Sequence, residues 1–298
     1  MWFRNLQVFR LASGWSATPE SLAESLARTG FKPCSALQRQ AQGWVPPRGN
    51  PDELVYVQAQ QMMLALGVEQ KILPTSVIRQ YAQERAREIE DAQGFKPGRA
   101  QQREIYDGVE AELLPRAFVK RRLTYVWIDP VGGWLVVDAA SSGKADEVIE
   151  QLKETLGELP LKLLKTLQAP GTAMTTWLSL GEAPGAFSID QDCELRAPGD
   201  AGGSVRYTRH PLETAELNQH IGRGKVAGKL ALTWNDRISF VLTEQLQIKR
   251  LAFLDVLKEQ AEQAGEGGDM FEADFAIMAG ELRGLLTALT EALGGEAE

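Results

Sequence analysis

The chain has 298 residues, 44% of them hydrophobic, and its 40 acidic and 32 basic side chains give a formal net charge of −8. This composition excludes disordered, collagen-like and disulfide-stapled proteins, and at roughly 100–200 residues per domain the length allows two or three compact units. The two cysteines and two histidines lack the spacing of paired ligands, so we expect no structural zinc site, no other metal and no cofactor.

The N-terminal part of the chain predicts strands around one short helix. Thr18 is a suitable N-cap and proline is favoured in the first helical turn, so a helix is predicted from Pro19 to about Arg28. Residues 2–10 predict a strand before this helix. The glycines and prolines of residues 43–49 predict a loop between strands.

Residues 75–114 predict a helical arm. One helix is expected over about 75–92 and a second over about 99–114, with a glycine-containing break between them. Both helices have narrow apolar stripes and charged remaining faces. This pattern favours a protruding helical hairpin, and an ordinary helix pair packed on the body is the alternative.

The rest of the chain predicts two units in which a β-hairpin precedes a helix, which suggests an internal duplication. In the first unit, strands are expected at residues 124–128 and 134–138 and the helix at 145–156. In the second unit, strands are expected at residues 230–234 and 238–242 and the helix at 251–263. Three further short strands and a long C-terminal helix are expected at residues 175–180, 193–196, 204–207 and 270–293.

The negative charge is concentrated near the C-terminal end. Residues 251–298 hold eleven acidic and two basic side chains, which leaves residues 1–250 nearly neutral, with a balance of +1. Two basic clusters stand out in that part of the chain. The first comprises Arg116, Lys120, Arg121 and Arg122, and the second comprises Arg223, Lys225 and Lys229. The pI of 5.1 therefore does not exclude a basic surface that follows phosphates, although solvated surface charge is the alternative for each cluster.

Motifs of common enzyme classes are missing. Lys144 follows Gly143 as in a phosphate-binding loop, but Asp138 replaces the first glycine and Ala145 replaces the residue that would bind magnesium. No nucleophile elbow or catalytic triad pattern is present. Paired carboxylates can hold magnesium, so Asp129 and Asp138 keep a metal-dependent nuclease open. No apolar run reaches the roughly 18 residues that cross a membrane, which predicts a cytoplasmic protein.

Eight short segments together carry a family resemblance. In chain order they are Trp2–Leu6, Gly43–Pro47, Lys71–Pro74, Leu113–Phe118, Trp127–Asp129, Lys229–Trp234, Lys249–Leu251 and Gly280–Leu282. With these segments in this order, the chain resembles the RdgC family of bacterial recombination-associated DNA-binding proteins. The resemblance runs through most of the chain.

The resemblance implies a protein that is not an enzyme, associates with the nucleoid and binds duplex DNA with little sequence preference. It implies subunits that pair head to head and tail to tail into a closed ring around DNA, and restraint of recombinase by occupation of its DNA. Phe118 matches a family position where subunits meet near DNA, and a plain core aromatic is the alternative. Arg209 and His210 fall at a position associated with DNA, although Pro211 departs from the family pattern.

Residues and resemblance together predict an α+β fold. We expect an elongated, multi-part subunit with antiparallel sheets, hairpin-helix units and a protruding helical arm, which closes as a ring-shaped homodimer. Its parts are expected at residues 1–74, 75–114, 115–228 and 229–298. The predicted DNA contacts are Arg116, Lys120, Arg121, Arg122, Arg209, His210, Arg223, Lys225 and Lys229, with Phe118 as an interface anchor.

Two other functional classes stay open beside DNA occupation. One is a protein-only adaptor that acts on the recombinase directly, and the other is the carboxylate-metal nuclease. Aromatic residues are not interleaved with the basic ones, which favours contacts to the duplex backbone over base stacking on single strands.

Overall fold

The computed structural model describes residues 2–12, 14–199, 202–265 and 269–297. Its strands are β1 (Leu6–Leu11), β2 (Gln40–Val45), β3 (Tyr56–Gln58), β4 (Gln61–Ile72), β5 (Phe118–Asp129), β6 (Trp134–Asp138), β7 (Leu161–Leu163), β8 (Phe187–Arg196), β9 (Ser204–Tyr207), β10 (Val226–Trp234), β11 (Ile238–Thr243) and β12 (Ile248–Phe253). Its α-helices are α1 (Pro19–Arg28), α2 (Thr75–Gln93), α3 (Arg99–Leu113), α4 (Ser142–Leu156), α5 (Pro170–Leu180), α6 (Thr214–Gly222), α7 (Asp255–Gly265) and α8 (Met270–Ala292).

The fold is α+β, as predicted, and the strands join one continuous sheet rather than several. The strand order is β2-β4-β5-β6-β1-β12-β11-β10-β8-β9, with β3 on β4 and β7 on β1. Neighbouring strands are antiparallel. Strands from both ends of the chain therefore meet at the centre of the sheet, where β1 lies between β6 and β12.

Alternate residues of the strands face two different apolar cores. One core is formed with helices α5 to α8 and runs along the whole sheet, from Met63 on β4 to Leu195 on β8. The other is formed with α1 and α4 and involves only the half of the sheet that contains β1, β2, β4, β5 and β6. As a result, strands β8 to β12 have a second face that neither core includes. We call this surface the open face.

Several elements confirm the sequence predictions. Helix α1 has the predicted bounds, and the Thr18 side chain accepts a hydrogen bond from the Ser21 backbone N–H, which caps the helix. The C-terminal helix α8 and strand β9 also lie where they were expected. None of the described helices combines the length and apolar character that a membrane crossing requires.

The arm segment folds as two antiparallel helices. Helices α2 and α3 share a small apolar cluster of their own, built on Ile78, Ile105 and Val109. Gly94 ends α2 with a φ of 79°, a left-handed conformation that glycine adopts without strain. The pair is tied to the rest of the chain by the ion pair between Arg39 and Glu110, 2.6 Å apart.

The predicted loop at residues 43–49 is wrong in its first half, because residues 43–45 belong to β2. Gly43 lies opposite Gly67 of β4, and the chain near Phe31 crosses this pair closely. A Cβ atom on Gly43 would lie 2.5 Å from the Phe31 Cα. Glycine here leaves room for a crossing chain and does not mark a turn.

Two predicted elements in the C-terminal half are also corrected. Residues 175–180 form the end of helix α5 and not a strand, because Ala173, Met174, Trp177 and Leu178 place their side chains on one buried helical face. Residues 251–253 are the end of strand β12, and α7 begins only at Asp255. The second predicted hairpin-helix unit therefore contains a third strand.

Candidate nucleic-acid interface

The open face carries all the charged side chains of its five strands. Strand residues alternate between the two faces, and the other face of these strands is apolar because it packs on helices α5 to α8. Strands β8 to β12 hold three acidic and five basic residues, namely Asp190, Asp192, Glu194, Arg196, Arg206, Lys229, Lys249 and Arg250. The face is therefore polar and net positive.

A buried carboxylate organises the centre of the open face. Glu194 lies directly between Arg206 of β9 and Lys229 of β10 in the sheet register. Its Oε2 accepts hydrogen bonds from Arg206 at 2.7 Å and from Lys229 at 3.0 Å, and its Oε1 accepts one from Arg196. The Glu194 side chain is only 4% exposed, whereas that of Arg206 is 67% exposed. One buried negative charge thus holds three basic groups at the surface.

A second acidic group anchors the neighbouring basic residue. Asp192 accepts a hydrogen bond from the Arg250 guanidinium at 3.0 Å and another from the Arg209 backbone N–H at 2.8 Å. The backbone hydrogen bond and then Arg250 lower the pKa of Asp192, so this carboxylate remains charged. Arg250 has a left-handed φ of 52°, at an irregularity of β12 that directs its side chain over the face.

These groups line a cleft of about 470 Å³ on the open face. Its lining also includes Asn5, which directly precedes β1, and Ala140, in the connection from β6 to α4. The basic residues of the lining are the open-face quartet, Arg206, Lys229, Lys249 and Arg250. A cleft lined by four basic side chains suits an extended polyanion such as a nucleic-acid backbone.

We expect Glu194 to make stability depend on pH in the acid range. Burial alone would raise the pKa of its carboxyl group, but hydrogen bonds from Lys229, Arg206 and Arg196 outweigh burial and lower it from 4.5 to about 2. A carboxyl group with a lower pKa in the folded chain stabilises the fold above its unfolded pKa, and this contribution is lost as the pH falls. The free energy of unfolding should therefore decline from about pH 4.5 to about pH 2.

Urea unfolding at a series of pH values measures this decline, and Glu194→Gln is the variant to compare. The variant should lose less stability over the same pH interval, because glutamine does not titrate. A decline of equal size in the variant would show that other carboxylates cause it.

The first predicted basic cluster lies on a different part of the sheet. Lys120, Arg121 and Arg122 belong to β5, which pairs with β4 over its whole length, and Arg116 precedes the strand. Within the described structure Arg116 and Lys120 make no ion pair and are exposed. Arg121 binds the buried Glu69 at 2.6 Å, and Arg122 binds Glu147 of α4 at 2.7 Å. Half of the cluster is therefore already neutralised within the chain.

Phe118 is an exposed side chain, and the alternative of a core aromatic is wrong. It is 85% exposed at the start of β5. Its cross-strand partner Ile72, at the end of β4, is 51% exposed. The end of the β4–β5 ribbon thus presents an apolar pair beside Arg116 and Lys120.

The second predicted cluster does not come together as one site. Lys229 lies on the open face, but Arg223 and Lys225 lie in the turn between α6 and β10 and are not in the described lining of the cleft. Arg209 is next to the face through its backbone bond to Asp192. The exposed ring of His210 bonds the Pro211 carbonyl through Nδ1 at 2.8 Å.

Sequence reasoning missed Arg206 and did not assign Lys249 or Arg250 to a site. Arg206 is the single basic residue of its strand, and Lys249 and Arg250 form only a pair. Register alone brings them together, since Lys229 lies opposite Glu194 and Glu194 opposite Arg206. An available signal was strand alternation, because the charged residues of β8 recur at every second position from Asp190 to Arg196.

The two carboxylates considered for a nuclease have structural partners. Asp129 is 0% exposed and binds Arg283 of α8 through both oxygens, at 2.6 and 2.7 Å. Asp138 accepts the backbone N–H groups of Arg4 and Asn5, and burial raises its pKa. Across the described ranges, no three His, Cys, Asp or Glu side chains are grouped in a way that could hold a metal ion.

Comparison with known proteins gives consistent matches along the chain. A family model described as "Putative exonuclease, RdgC" matches residues 1–296. The chain is 52% identical over 299 residues to the recombination-associated protein RdgC of Janthinobacterium sp. (strain Marseille), covering 100% of this chain and 99% of that protein. It is 52% identical over 297 residues to the protein of that name from Herminiimonas arsenicoxydans, covering 99% of both chains.

A third relative, from Dechloromonas aromatica (strain RCB), has the same name and is 51% identical over 300 residues, covering 99% of this chain and 98% of the relative. The description of the family model includes an exonuclease activity. The names of these relatives refer to recombination and to no enzymatic reaction.

Proposed function

This chain belongs to the RdgC family of recombination-associated proteins, and on that basis we propose that it binds duplex DNA without sequence preference. In this proposal the protein is a ring-shaped homodimer on nucleoid DNA, and it modulates recombination by limiting the access of recombinase to DNA. It is not an enzyme, and it needs no cofactor. The observation that carries the proposal is the open face, a wide sheet surface with an ordered set of basic side chains.

The chemistry of the open face supports phosphate contacts more than base recognition. Arginine and lysine neutralise phosphates regardless of sequence, and long flexible side chains on a sheet can follow a backbone. Carboxylates on the same face would repel phosphates if they were free. Glu194 and Asp192 are instead bound to Arg206, Lys229 and Arg250. The third carboxylate of the face, Asp190, accepts hydrogen bonds from the Thr233 hydroxyl.

The overall negative charge is compatible with this proposal because much of it lies away from the open face. Helices α7 and α8 carry much of the acidic C-terminal segment, and they pack on the opposite side of the sheet from the open face. A protein that encloses DNA needs its acids away from the DNA path. This separation of charge across the sheet meets that requirement.

A salt series tests the proposal. Duplexes of unrelated sequence are titrated with the wild-type protein from low to physiological ionic strength, with fluorescence anisotropy as the readout. We expect log-log slopes of several units that agree between sequences, since each neutralised phosphate adds about −0.9 to the slope. Absence of binding at the lowest salt would overturn the proposal and favour the adaptor that acts on recombinase directly.

Phe118 is expected to join two subunits. Its exposed ring beside Ile72 is the kind of apolar pair that a second copy would bury. Phe118→Ser should lower the dimer fraction in sedimentation equilibrium and shorten the lifetime of complexes on closed circular DNA, without lowering the melting temperature of the subunit. Val57→Ser, on the exposed side of β3, is a matched control because this valine is 41% exposed. An unchanged dimer in Phe118→Ser would remove Phe118 from the interface.

The exonuclease alternative is tested in the same preparations. If the chain cleaves DNA with magnesium, 5′-labelled and 3′-labelled linear duplexes should shorten with time, and Asp129→Asn or Asp138→Asn should abolish the shortening. We expect intact DNA, because Asp129 is occupied by Arg283 and Asp138 by backbone N–H groups. Shortening by the wild type would overturn the non-enzymatic part of the proposal.

A further inference from the structure

The tip of the helical arm presents an aromatic side chain to solvent. Phe95 lies in the five-residue connection between α2 and α3 and is 64% exposed. The connection is held in one shape by Gly94, which ends α2 in the left-handed conformation, and by the Gln102 side chain, whose Nε2 donates to the Pro97 carbonyl at 3.0 Å. Pro97 itself is buried. The ring of Phe95 is therefore displayed by an ordered turn.

The surroundings of Phe95 are cationic. Residues 94–103 contain three basic side chains and no acidic one. These are Lys96, Arg99 and Arg103, all exposed, and none of them forms an ion pair with the residues that the structure describes. The remainder of the arm has many acids, so the tip is a local patch of positive charge on an otherwise acidic arm.

We propose that the arm tip is a second nucleic-acid contact, where Phe95 stacks on an unpaired base at a single-strand junction while Lys96, Arg99 and Arg103 bind the adjacent phosphates. The proposal rests on the proposed function of DNA binding and adds a preference for junctions to it. A sequence-independent duplex surface needs only cations. An exposed aromatic ring adds recognition of bases that are no longer stacked in a duplex.

Charge complementarity favours a nucleic acid over a second copy of the chain at this tip. The arm has a net excess of acids outside residues 94–103, for example Glu84, Glu88 and Glu112 around Tyr81. An apolar self-contact would not require the three cations of residues 94–103, which form no ion pair with the described residues. An aromatic ring beside several cations is the combination by which proteins bind unpaired nucleotides. Sequence reasoning, which found no such interleaving, missed this segment.

The experiment compares two probes that differ only at one end. One is a blunt duplex, and the other is the same duplex with a short single-stranded overhang and 2-aminopurine at the first unpaired position. Affinity is measured by anisotropy, and stacking by the fluorescence change of 2-aminopurine. The variants are Phe95→Ala, Phe95→Trp and Tyr81→Ala. Tyr81 is the matched control because it is an exposed aromatic on the same arm, 49% exposed, in an acidic setting.

We expect the wild type to bind the overhang probe more tightly and to quench 2-aminopurine. Phe95→Ala should lose roughly 5- to 100-fold in affinity for the overhang probe, the range expected for one stacked base. Its blunt-duplex affinity should stay within about twofold of the wild-type value, because the phosphate contacts of the open face remain. Phe95→Trp should keep the preference and the quenching, and Tyr81→Ala should behave as the wild type.

Two results would overturn the inference. Equal affinity of the wild type for both probes would remove the junction preference while leaving the proposed duplex function intact. A fall in the dimer fraction of Phe95→Ala without loss of overhang preference would assign the tip to a contact between copies. Lack of blunt-duplex binding by the wild type is a separate outcome, because it overturns the proposed function itself.

Discussion

Changing the whole open-face quartet to glutamine is expected to weaken duplex binding by about 10²–10³-fold at 0.15 M salt. Each lost phosphate contact removes about 0.9 from the slope of log affinity against log salt, so the loss of about two contacts per subunit, four in the homodimer, should flatten the slope by about four units. At about 0.15 M salt the same relation gives roughly a fivefold loss for each contact. Titrations of one duplex across the salt series measure both quantities.

Glutamine is preferred to alanine at these positions because of Glu194. Removing Arg206 and Lys229 as hydrogen-bond donors would leave a carboxylate that is 4% exposed with Arg196 as its remaining partner. A buried charge that loses its partners destabilises the fold, and partial unfolding would then lower the measured DNA affinity for a reason unrelated to phosphate contacts. Glutamine side chains keep a donor N–H while they remove the positive charge.

A control with the same change in net charge uses four exposed basic residues outside the open face. They are Arg28, Lys153, Lys162 and Lys258. Glutamine at these four positions should leave the slope close to the wild-type value, because these residues lie on α1, α4, β7 and α7. If the control variant and the quartet variant lose equal affinity, binding depends on net charge and not on the open face.

Neutralising the first basic cluster should have a smaller effect than neutralising the quartet. Arg121 and Arg122 are each bound one to one, by Glu69 and Glu147, whereas Glu194 alone is shared by three basic side chains of the open face. Arg116 and Lys120 are the members of that cluster free to contact phosphate. A larger loss of affinity in the quartet variant would show that DNA binds the surface assembled by strand register. A larger loss in the first-cluster variant would show that it binds the run of basic residues in the sequence.

Much of the fold was predictable because local signals are strong there. Helix α1 has a capping residue and a proline in its first turn, and helix α8 has an apolar stripe of many turns. Helices α2 and α3 were predicted within a residue or two, because Gly94 separates two clear helical patterns.

The errors occur where tertiary contacts override local signals. Gly43 belongs to a strand because the chain near Phe31 crosses it, and that crossing leaves no mark near Gly43 in the sequence. The strand β12 is irregular at Arg250, which breaks the alternation that would have identified it. Helix and strand signals are also hard to separate in short apolar segments such as residues 175–180.

The candidate site was predictable only in part, for the same reason. Clustering along the sequence identified Lys120 and its neighbours, and it also grouped Arg223 with Lys229, which the fold separates. The open face depends on which strands are neighbours. The connections between these strands range from short turns to the segment with helix α6 between β9 and β10, so their register cannot be read from residue spacing alone.

Arg283→Ala is expected to be among the most destabilising single substitutions in this chain. Its guanidinium binds both oxygens of Asp129, which is 0% exposed, so the variant would leave a buried carboxylate without a counter-charge. Breaking a buried ion pair in this way costs about 3–5 kcal/mol. Arg283 is itself 37% exposed, and solvent access at that edge favours the lower end, about 3 kcal/mol. Urea unfolding at neutral pH measures the loss.

The double variant Asp129→Leu with Arg283→Leu tests whether the unpaired buried charge of Asp129 is what destabilises Arg283→Ala. If the buried charge is the cause, removal of both charges should restore part of the stability that Arg283→Ala loses, because an apolar pair carries no desolvation penalty.

The ion pairs Arg237–Glu281 and Arg283–Asp129 both connect α8 to the sheet, and Glu281 is the more exposed acid. Arg237→Ala is therefore the control and should cost less than Arg283→Ala. Equal losses in these two variants would show that burial of Asp129 is not what makes its pair important.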